Sequence, residues 1–435
     1  MGHGGGLTNT MDHMSSYGML GDYIEKIASK ELQPVDVDPK RSNQHEIGGV
    51  TKAMLPVLGD TDRKATEGSG IPTVAIYLSD DDDPIAEDIV TSWYDTRRND
   101  PTRSAEWRLY YQACTPMKLA SAGDTLYCGY MKDGRLLLMV TAASSSVGAQ
   151  MRWLFGIKDL DDGKFSIYDQ TQASVDVFAA QLLSLLGFEP QQKDELLLDD
   201  MLSRWNYSFP TGREFARYSE DSLTDIDPRT DNPDDVVLAY YEREYHLFCV
   251  LEEAIIQREY EEAPFVSSDG KIDVPQFTTF YKHARNRRVS RAGTSLEQHV
   301  QRILDARGIR YTPQAVTEKK KKPDFLFPGV EEYANKHYPA RSLRMLAAKT
   351  STKDRWRQVL DEADRINEKH LLAITPSGIS IEQNRQMMDK NLRLVMPKRI
   401  RDTHSAEVQS NTILFADFIK EVSKIPTLVD LGLDE

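Results

Sequence analysis

Two side chains invite a chemical reading first. Asp324, preceded by Pro323, opens the short apolar stretch Asp324-Phe325-Leu326-Phe327, and Lys349 closes a second, Leu343-Arg344-Met345-Leu346-Ala347-Ala348-Lys349. If both stretches are strands, the carboxylate and the ammonium can meet at the strand ends. Hydrolysis of a phosphodiester needs hard oxygen ligands for a divalent cation, and a positive group beside the attacking water and the charge developing on phosphorus. Asp, Glu and Lys supply these. A second carboxylate would be expected two residues before Lys349 on the same strand face, but that position is Ala347. Glu362, 13 residues beyond Lys349, can supply one from the next segment, whose pattern predicts a helix over 353–366. On that helix Arg355 and Glu362 share a face. Taken alone, an Asp and a Lys at this spacing favour a surface salt bridge.

The elements that must carry these groups follow from the apolar pattern. From about Leu20 to Phe188 short β-like stretches such as Thr73–Tyr77 and Arg135–Val140 are broken by Gly and Asp clusters, which predicts a mostly-β domain. Residues 219–235, rich in Asp, Ser, Thr and Pro, read as a linker. Beyond them long helical segments (236–262, 295–306, 353–366) alternate with brief apolar strands (324–327, 343–348, 370–374, 393–396), the texture of a mixed α/β sheet. The expected organisation is a flexible leader over 1–18, an amino-terminal domain over 19–215, a linker over 216–235 and a carboxy-terminal domain over 236–435. The fold class is thus a two-domain α+β/α/β chain.

Composition narrows the function. With 435 residues, 40% hydrophobic and 28% charged, the chain has material for two cores and is neither fibrous nor wholly disordered. A net charge of −14 argues against a protein that coats nucleic acid indiscriminately. Against that total, residues 282–291 carry five Lys/Arg and no acid, a segment suited to phosphates, whereas Lys319–Lys322 reads as a solvated turn. Cys114, Cys128 and Cys249 form no Cys-x-x-Cys pair, which favours buried thiols in a reducing cytoplasm and no structural zinc. No apolar run is long enough for a membrane span.

Three blocks in order, Arg291-Ala292-Gly293-Thr294-Ser295-Leu296-Glu297, Lys322-Pro323-Asp324-Phe325-Leu326-Phe327-Pro328 and Met345 through Gln358, resemble the catalytic domain of EcoRII-type restriction endonucleases of the PD-(D/E)XK class. In that group the second carboxylate has moved from the strand to the following helix, which matches Ala347 and Glu362. The resemblance implies a restriction-endonuclease-like fold and Mg²⁺ as cofactor. Asp324 and Glu362 would hold the metal, Lys349 would polarise the attacking water, and Glu297 would serve a second metal position or its water shell. For Glu297 a helix capping box with Thr294 is the other reading. Lys353-Asp354-Arg355 would read adjacent G·C pairs, or else be a solvated helix start. Arg288 and Arg291 would contact phosphates. Tyr241 and Tyr245 would line a pocket for a flipped base, or else belong to a core face. Tyr241 stands where the family has an arginine.

In the amino-terminal half, Ser42–Gly49 and Thr102–Tyr111 resemble the two DNA-contacting arms of the family's effector domain, a β-pseudobarrel, with Gln44, His45, Arg103, Glu106 and Arg108 as contact residues. Trp205 and Phe209-Pro210-Thr211-Gly212 resemble that domain's end. The implied activity is Mg²⁺-dependent cleavage of both strands at a short near-palindromic CC/GG-type (CCWGG-like) site, leaving 5′-phosphates. The implied partners are double-stranded DNA in two site copies, a second subunit forming a homodimer, and a functionally paired cognate DNA methyltransferase. Two alternatives stand beside this: a sequence-specific DNA-binding regulator with an inert nuclease domain, and a modification-dependent or repair nuclease.

Overall fold

The computed structural model describes residues 19–37, 45–48, 54–80, 83–100, 102–143, 145–157, 164–171, 195–262, 270–349, 356–374 and 379–433, with isolated positions over 173–188 and 265–266. Side chains at 285 and 287–294 are outside that description. The chain divides into two compact units, Met1–Pro190 and Gln191–Glu435.

Among the described residues of the amino-terminal unit eight strands form one sheet: β1 (Ile24–Glu31), β2 (Glu46–Ile47), β3 (Ile71–Leu78), β4 (Ile85–Asp95), β5 (Trp107–Tyr111), β6 (Thr125–Met131), β7 (Leu136–Thr141) and β8 (Ser166–Asp169). Their order is β2-β5-β4-β3-β7-β6-β1-β8, antiparallel throughout except between β3 and β7. Inward residues of successive strands, among them Ala28, Ile47, Ile71, Trp93, Leu109, Cys128 and Leu138, fill one common core, so the sheet must curl around it. Although β2 and β1 stand far apart in the strand order, Lys30 Nζ of β1 donates to Gly48 O, just past β2, at 2.9 Å. The same ammonium pairs with Asp36 at 2.9 Å, both side chains buried. The apolar pattern predicts a mostly-β domain, and the curled sheet is in keeping with the β-pseudobarrel that the resemblance implies.

The carboxy-terminal unit begins with four helices, α1 (Glu195–Trp205), α2 (Gly212–Asp221), α3 (Pro233–Glu262) and α4 (Val274–Ala306). A six-stranded mixed sheet follows, made of β9 (Thr312–Pro313), β10 (Phe325–Phe327), β11 (Arg344–Lys349), β12 (Lys369–Ala373), β13 (Leu392–Met396) and β14 (Thr412–Leu414) in the order β14-β13-β12-β11-β10-β9. The pairs β9–β10 and β10–β11 are antiparallel, and β11 through β14 run parallel. Strands covered on both faces favour apolar side chains at successive positions, which is why Met345–Ala348 of β11 and Leu371–Ala373 of β12 read as continuous runs.

Three expectations need correction. The division falls at Pro190–Gln191 rather than at 215–216, because Met201 of α1 and Phe215 of α2 share a buried cluster with Leu247, Phe248 and Leu251 of α3. Residues 216–235 are accordingly no loose linker. Glu220 is buried against His299, and Asp234 is buried while accepting from Lys398 N at 2.9 Å and Ala416 N at 2.6 Å. Polar composition misleads here because each acid has a built partner.

The helix expected from 295 starts at Val274, where Asp273 caps it by accepting from Gln276 N at 3.0 Å and Pro275 occupies the first turn. Thr294-Ser295-Leu296-Glu297 therefore lies inside α4 and is no capping box. Third, among the described residues the helix expected over 353–366 is α5, Trp356–Val359, and it stops well short of 366. Leu360, Asp361 and Glu362 donate to the carbonyls three residues back, and Ala363 enters the left-handed region at φ 50°, which ends the helix. Glu362 sits in that turn, so helical periodicity does not place it on a common face with Arg355.

Candidate active site

Asp324 precedes β10 and Lys349 ends β11, and the antiparallel pairing Phe325↔Leu346 brings the two together. Lys349 Nζ lies 2.8 Å from Asp324 Oδ2, which also accepts from Ala348 N at 2.8 Å. The main-chain bond fixes the carboxylate's orientation. Asp324 is buried, while Lys349 keeps partial exposure at the edge of the site.

Two further carboxylates converge on this pair. Glu297, in the last third of α4, is linked to Asp324 through Gln314: the amide Nε2 donates to Glu297 Oε2 at 3.2 Å and to Asp324 Oδ1 at 3.0 Å. Burial, and then the Asp324 charge, push the Glu297 carboxyl up to about 7. Glu362 is likewise pushed up to about 7 by burial and by Asp324, against the opposing pull of Lys349, Lys321 and Lys369. Among the described residues its Oε2 is buried without a hydrogen-bond partner. Gln314 was not foreseen. Its backbone is left-handed at φ 49° and its N–H donates to Asp324 O at 3.2 Å, a placement set by the strand pairing that no sequence pattern announces.

The arrangement suits a divalent cation. Among the described residues no three His, Cys, Asp or Glu side chains already form a closed cage. A Mg²⁺ site needs only one or two carboxylates, since water and substrate phosphate complete the octahedron. The donor set fits such an ion: Glu297 and Glu362 converge on Asp324, and Glu362 Oε2 has no hydrogen-bond partner among the described residues.

Behind the site, α4 is anchored by a buried ionic triad. His299 Nδ1 is 2.7 Å from Glu220 of α2 and Nε2 is 2.8 Å from Glu244 of α3. Ser295 Oγ donates to Glu244 Oε1 at 2.5 Å. Burial alone would lower His299, but the two carboxylates outweigh it and raise the imidazole to about 9. Two residues from Glu297, the triad fixes the turn of α4 from which that acid projects.

The remaining candidates divide. Tyr241 is buried and Tyr245 half-buried on α3. Gln44 and the triplet Lys353-Asp354-Arg355 lie outside the described residues, as do the side chains of Arg288 and Arg291. In the amino-terminal unit the two arm-like blocks meet: β2 pairs with β5 through Glu46↔Tyr110 and Ile47↔Leu109, and Tyr111 N donates to His45 O at 2.9 Å. His45 packs edge-on against Tyr111 with centroids 5.3 Å apart. Arg108 is ion-paired with both Glu46 and Glu106, Glu106 also meets Arg97, and Arg103 is exposed.

A mixed sheet whose adjoining strand ends present an Asp and a Lys, with further carboxylates from a preceding helix and a following turn, defines the carboxy-terminal unit as restriction-endonuclease-like. Residues 248–419 match the family described as EcoRII C terminal. The type II restriction enzyme EcoRII of Escherichia coli is 34% identical over 248 residues, which cover 56% of this chain and 58% of that enzyme. The chain thus spans little more than half the length of that relative. Among solved structures, metal-depleted Ecl18kI in complex with uncleaved, modified DNA aligns with a TM-score of 0.42 at 18% identity, covering 54% of this chain and 84% of that one. A complex of the restriction endonuclease PspGI with substrate DNA aligns at 0.39 and 16% identity, covering 50% and 93%.

Proposed function

We propose that this chain is a type II site-specific endodeoxyribonuclease. It hydrolyses both strands of a short near-palindromic CC/GG-type (CCWGG-like) site in a Mg²⁺-dependent reaction that leaves 5′-phosphates. The observation that carries this reading is the Lys349–Asp324 pair at adjoining strand ends, with Glu362 and Glu297 beside it, inside the segment that matches EcoRII C terminal.

Asp324 and Glu362 would hold Mg²⁺, and Glu297 a second position or its water shell. When bound, the ion supplies a Lewis acid for the scissile phosphate and lowers the pKa of a water. The chain's own groups do the rest. Ala348 N–H and Lys349 together orient Asp324 Oδ2 and leave Oδ1 toward Gln314. Lys349 Nζ, a cation on a rigid strand end, faces the incoming water and the charge that grows on the phosphoryl oxygens. Glu362 and Glu297, both raised by burial and by Asp324, would hold the ion as carboxylates, so binding would be favoured as pH rises through about 7.

The triplet Lys353-Asp354-Arg355 would read the G·C pairs, Arg288 and Arg291 the phosphates, and Tyr241 with Tyr245 a flipped central base. The amino-terminal unit would bind a second site copy as effector through Gln44, His45, Arg103, Glu106 and Arg108. The working enzyme would be a cytoplasmic homodimer paired with a cognate DNA methyltransferase. Among the described residues no helix is long and apolar enough to cross a membrane. Incubating the purified chain with Mg²⁺ and a plasmid bearing CC/GG-type sites should yield discrete fragments with 5′-phosphate ends. Intact plasmid, with DNA binding retained, would overturn the proposal.

A further inference from the structure

Glu362 lies on no strand, so ladder hydrogen bonds cannot set its distance from Asp324. Something else must hold its turn. The three backbone N–H groups that follow Glu362 all leave the turn and end on side chains of the two segments that flank β10. Ala363 N donates to Thr317 Oγ1 at 3.3 Å, Asp364 N to Glu318 Oε2 at 3.2 Å, and Arg365 N to Tyr333 Oη at 3.1 Å. The acceptors are themselves joined, since Tyr333 Oη donates to Glu318 Oε2 at 2.5 Å. Of the three N–H groups, the Asp364 N–H meets a charge, the Glu318 carboxylate, and the other two end on hydroxyl oxygens. Burial would raise that carboxyl, but the bonds from Tyr333 and from the Asp364 N–H hold it below the usual range.

The carbonyls of the same turn are tied as well. Lys369 Nζ donates to Ile366 O at 3.1 Å and reaches Ala363 O at 3.4 Å, and Arg365 donates to Asn335 O at 3.1 Å and Tyr338 O at 3.0 Å. Thr317 and Glu318 lie just before Asp324 in the chain, and Tyr333 lies in the short helix Val330–Ala334 just after β10. The segments on both sides of the strand that presents one carboxylate therefore reach across to the turn that presents the other.

We infer that Glu318, seated between Thr317 and Tyr333, is a positioning residue that holds Glu362 at its working distance from Asp324. The inference rests on the assignment of Glu362 to the catalytic site. Groups that orient metal ligands without touching the metal are worth about 10–100-fold in affinity or activity.

The test uses the full chain, site-bearing plasmid and a Mg²⁺ titration, with melting temperature and DNA affinity measured in EDTA. Glu318→Ala should cut about 10–100-fold more slowly and need several-fold more Mg²⁺ for half-maximal rate, while DNA affinity stays near wild type. Glu318→Gln, which keeps an acceptor oxygen, should recover most of the rate. A purely structural role would lower the melting temperature and DNA affinity and leave the Mg²⁺ midpoint in place. A wild-type rate and midpoint for Glu318→Ala overturns the inference. Should that variant not fold, Thr317→Val decides by the same midpoint, an unchanged one being fatal. Glu362→Gln run in parallel separates the failures. If it too cuts normally, the site assignment is wrong. If it is inactive while Glu318→Ala is normal, only the positioning role is lost.

Discussion

Replacing Glu362 by Gln keeps the side chain's shape and removes a charge that the metal-free site holds at a cost. Its carboxyl is pushed up to about 7, from a usual value near ~4.3, first by burial and then by Asp324. Because the folded-state pKa lies above the unfolded one, this group's contribution to stability is fully present below pH ~4.3. It is lost as pH rises through about 7. Taken at face value the difference is ~3 kcal/mol at pH 8, but the side chain is only half-buried and solvent screening reduces it to ~1–2 kcal/mol. Gln mimics the protonated acid at every pH. Glu362→Gln should therefore be ~1–2 kcal/mol more stable than wild type at pH 8 in EDTA, a rise of ~3–6 °C in melting temperature, with no difference at pH 4.5. Calorimetry of the carboxy-terminal transition across this range measures it. Added Mg²⁺ should close the gap for wild type alone, and plasmid cleavage by the variant should fall by at least ~10³-fold. A variant that is no more stable at pH 8 than at pH 4.5, relative to wild type, would refute the reasoning.

Other perturbations probe the same frame. Lys349→Ala should lower cleavage by at least ~10²-fold while leaving DNA affinity within a few-fold, as read by gel shift beside a nicking assay. Gln314→Ala removes the amide that links Glu297 and Asp324, so the metal-free site should lose order; slower cleavage with a raised Mg²⁺ midpoint, by ~10-fold, is the outcome to look for. His299→Gln leaves Glu220 and Glu244 without their cation and should cost ~3–5 kcal/mol in denaturant unfolding at pH 7. In the wild type the His299 contribution, fully present below ~6.5, should fade as pH rises through about 9.

Some of this architecture was legible in the residues and some was not, for identifiable reasons. The ends of β10 and β11 could be placed because Phe325–Phe327 and Met345–Ala348 are continuous apolar runs, the first between Asp324 and Pro328 and the second between Arg344 and Lys349, and strands buried on both faces leave that mark. Glu362 was found from the neighbouring blocks, yet its setting was misjudged. Nothing in Leu360-Asp361-Glu362-Ala363 forbids a helix, and the left-handed Ala363 is stabilised by side chains distant in sequence. At Thr294 a capping signature is present but unused, since Asp273 and Pro275 start the helix about twenty residues earlier and Ser295 bonds to a buried acid instead. Glu220 and Asp234 looked like linker residues because composition records polarity and not partners. Gln314 and Glu318 carry no sequence signature at all: one is defined by a strand register, the other by a turn it never adjoins in the chain.

The seam at Pro190 bears on how such a protein can be cut and recombined. A fragment beginning at 216 or 236 would carry the whole matched segment 248–419 and still lack Met201 and Phe215. One beginning at 236 would also strand His299 without Glu220. The two helices before residue 222 travel with the nuclease half. An exchange of amino-terminal modules between relatives, in the laboratory or in evolution, preserves the carboxy-terminal half only if the crossover falls ahead of Glu195.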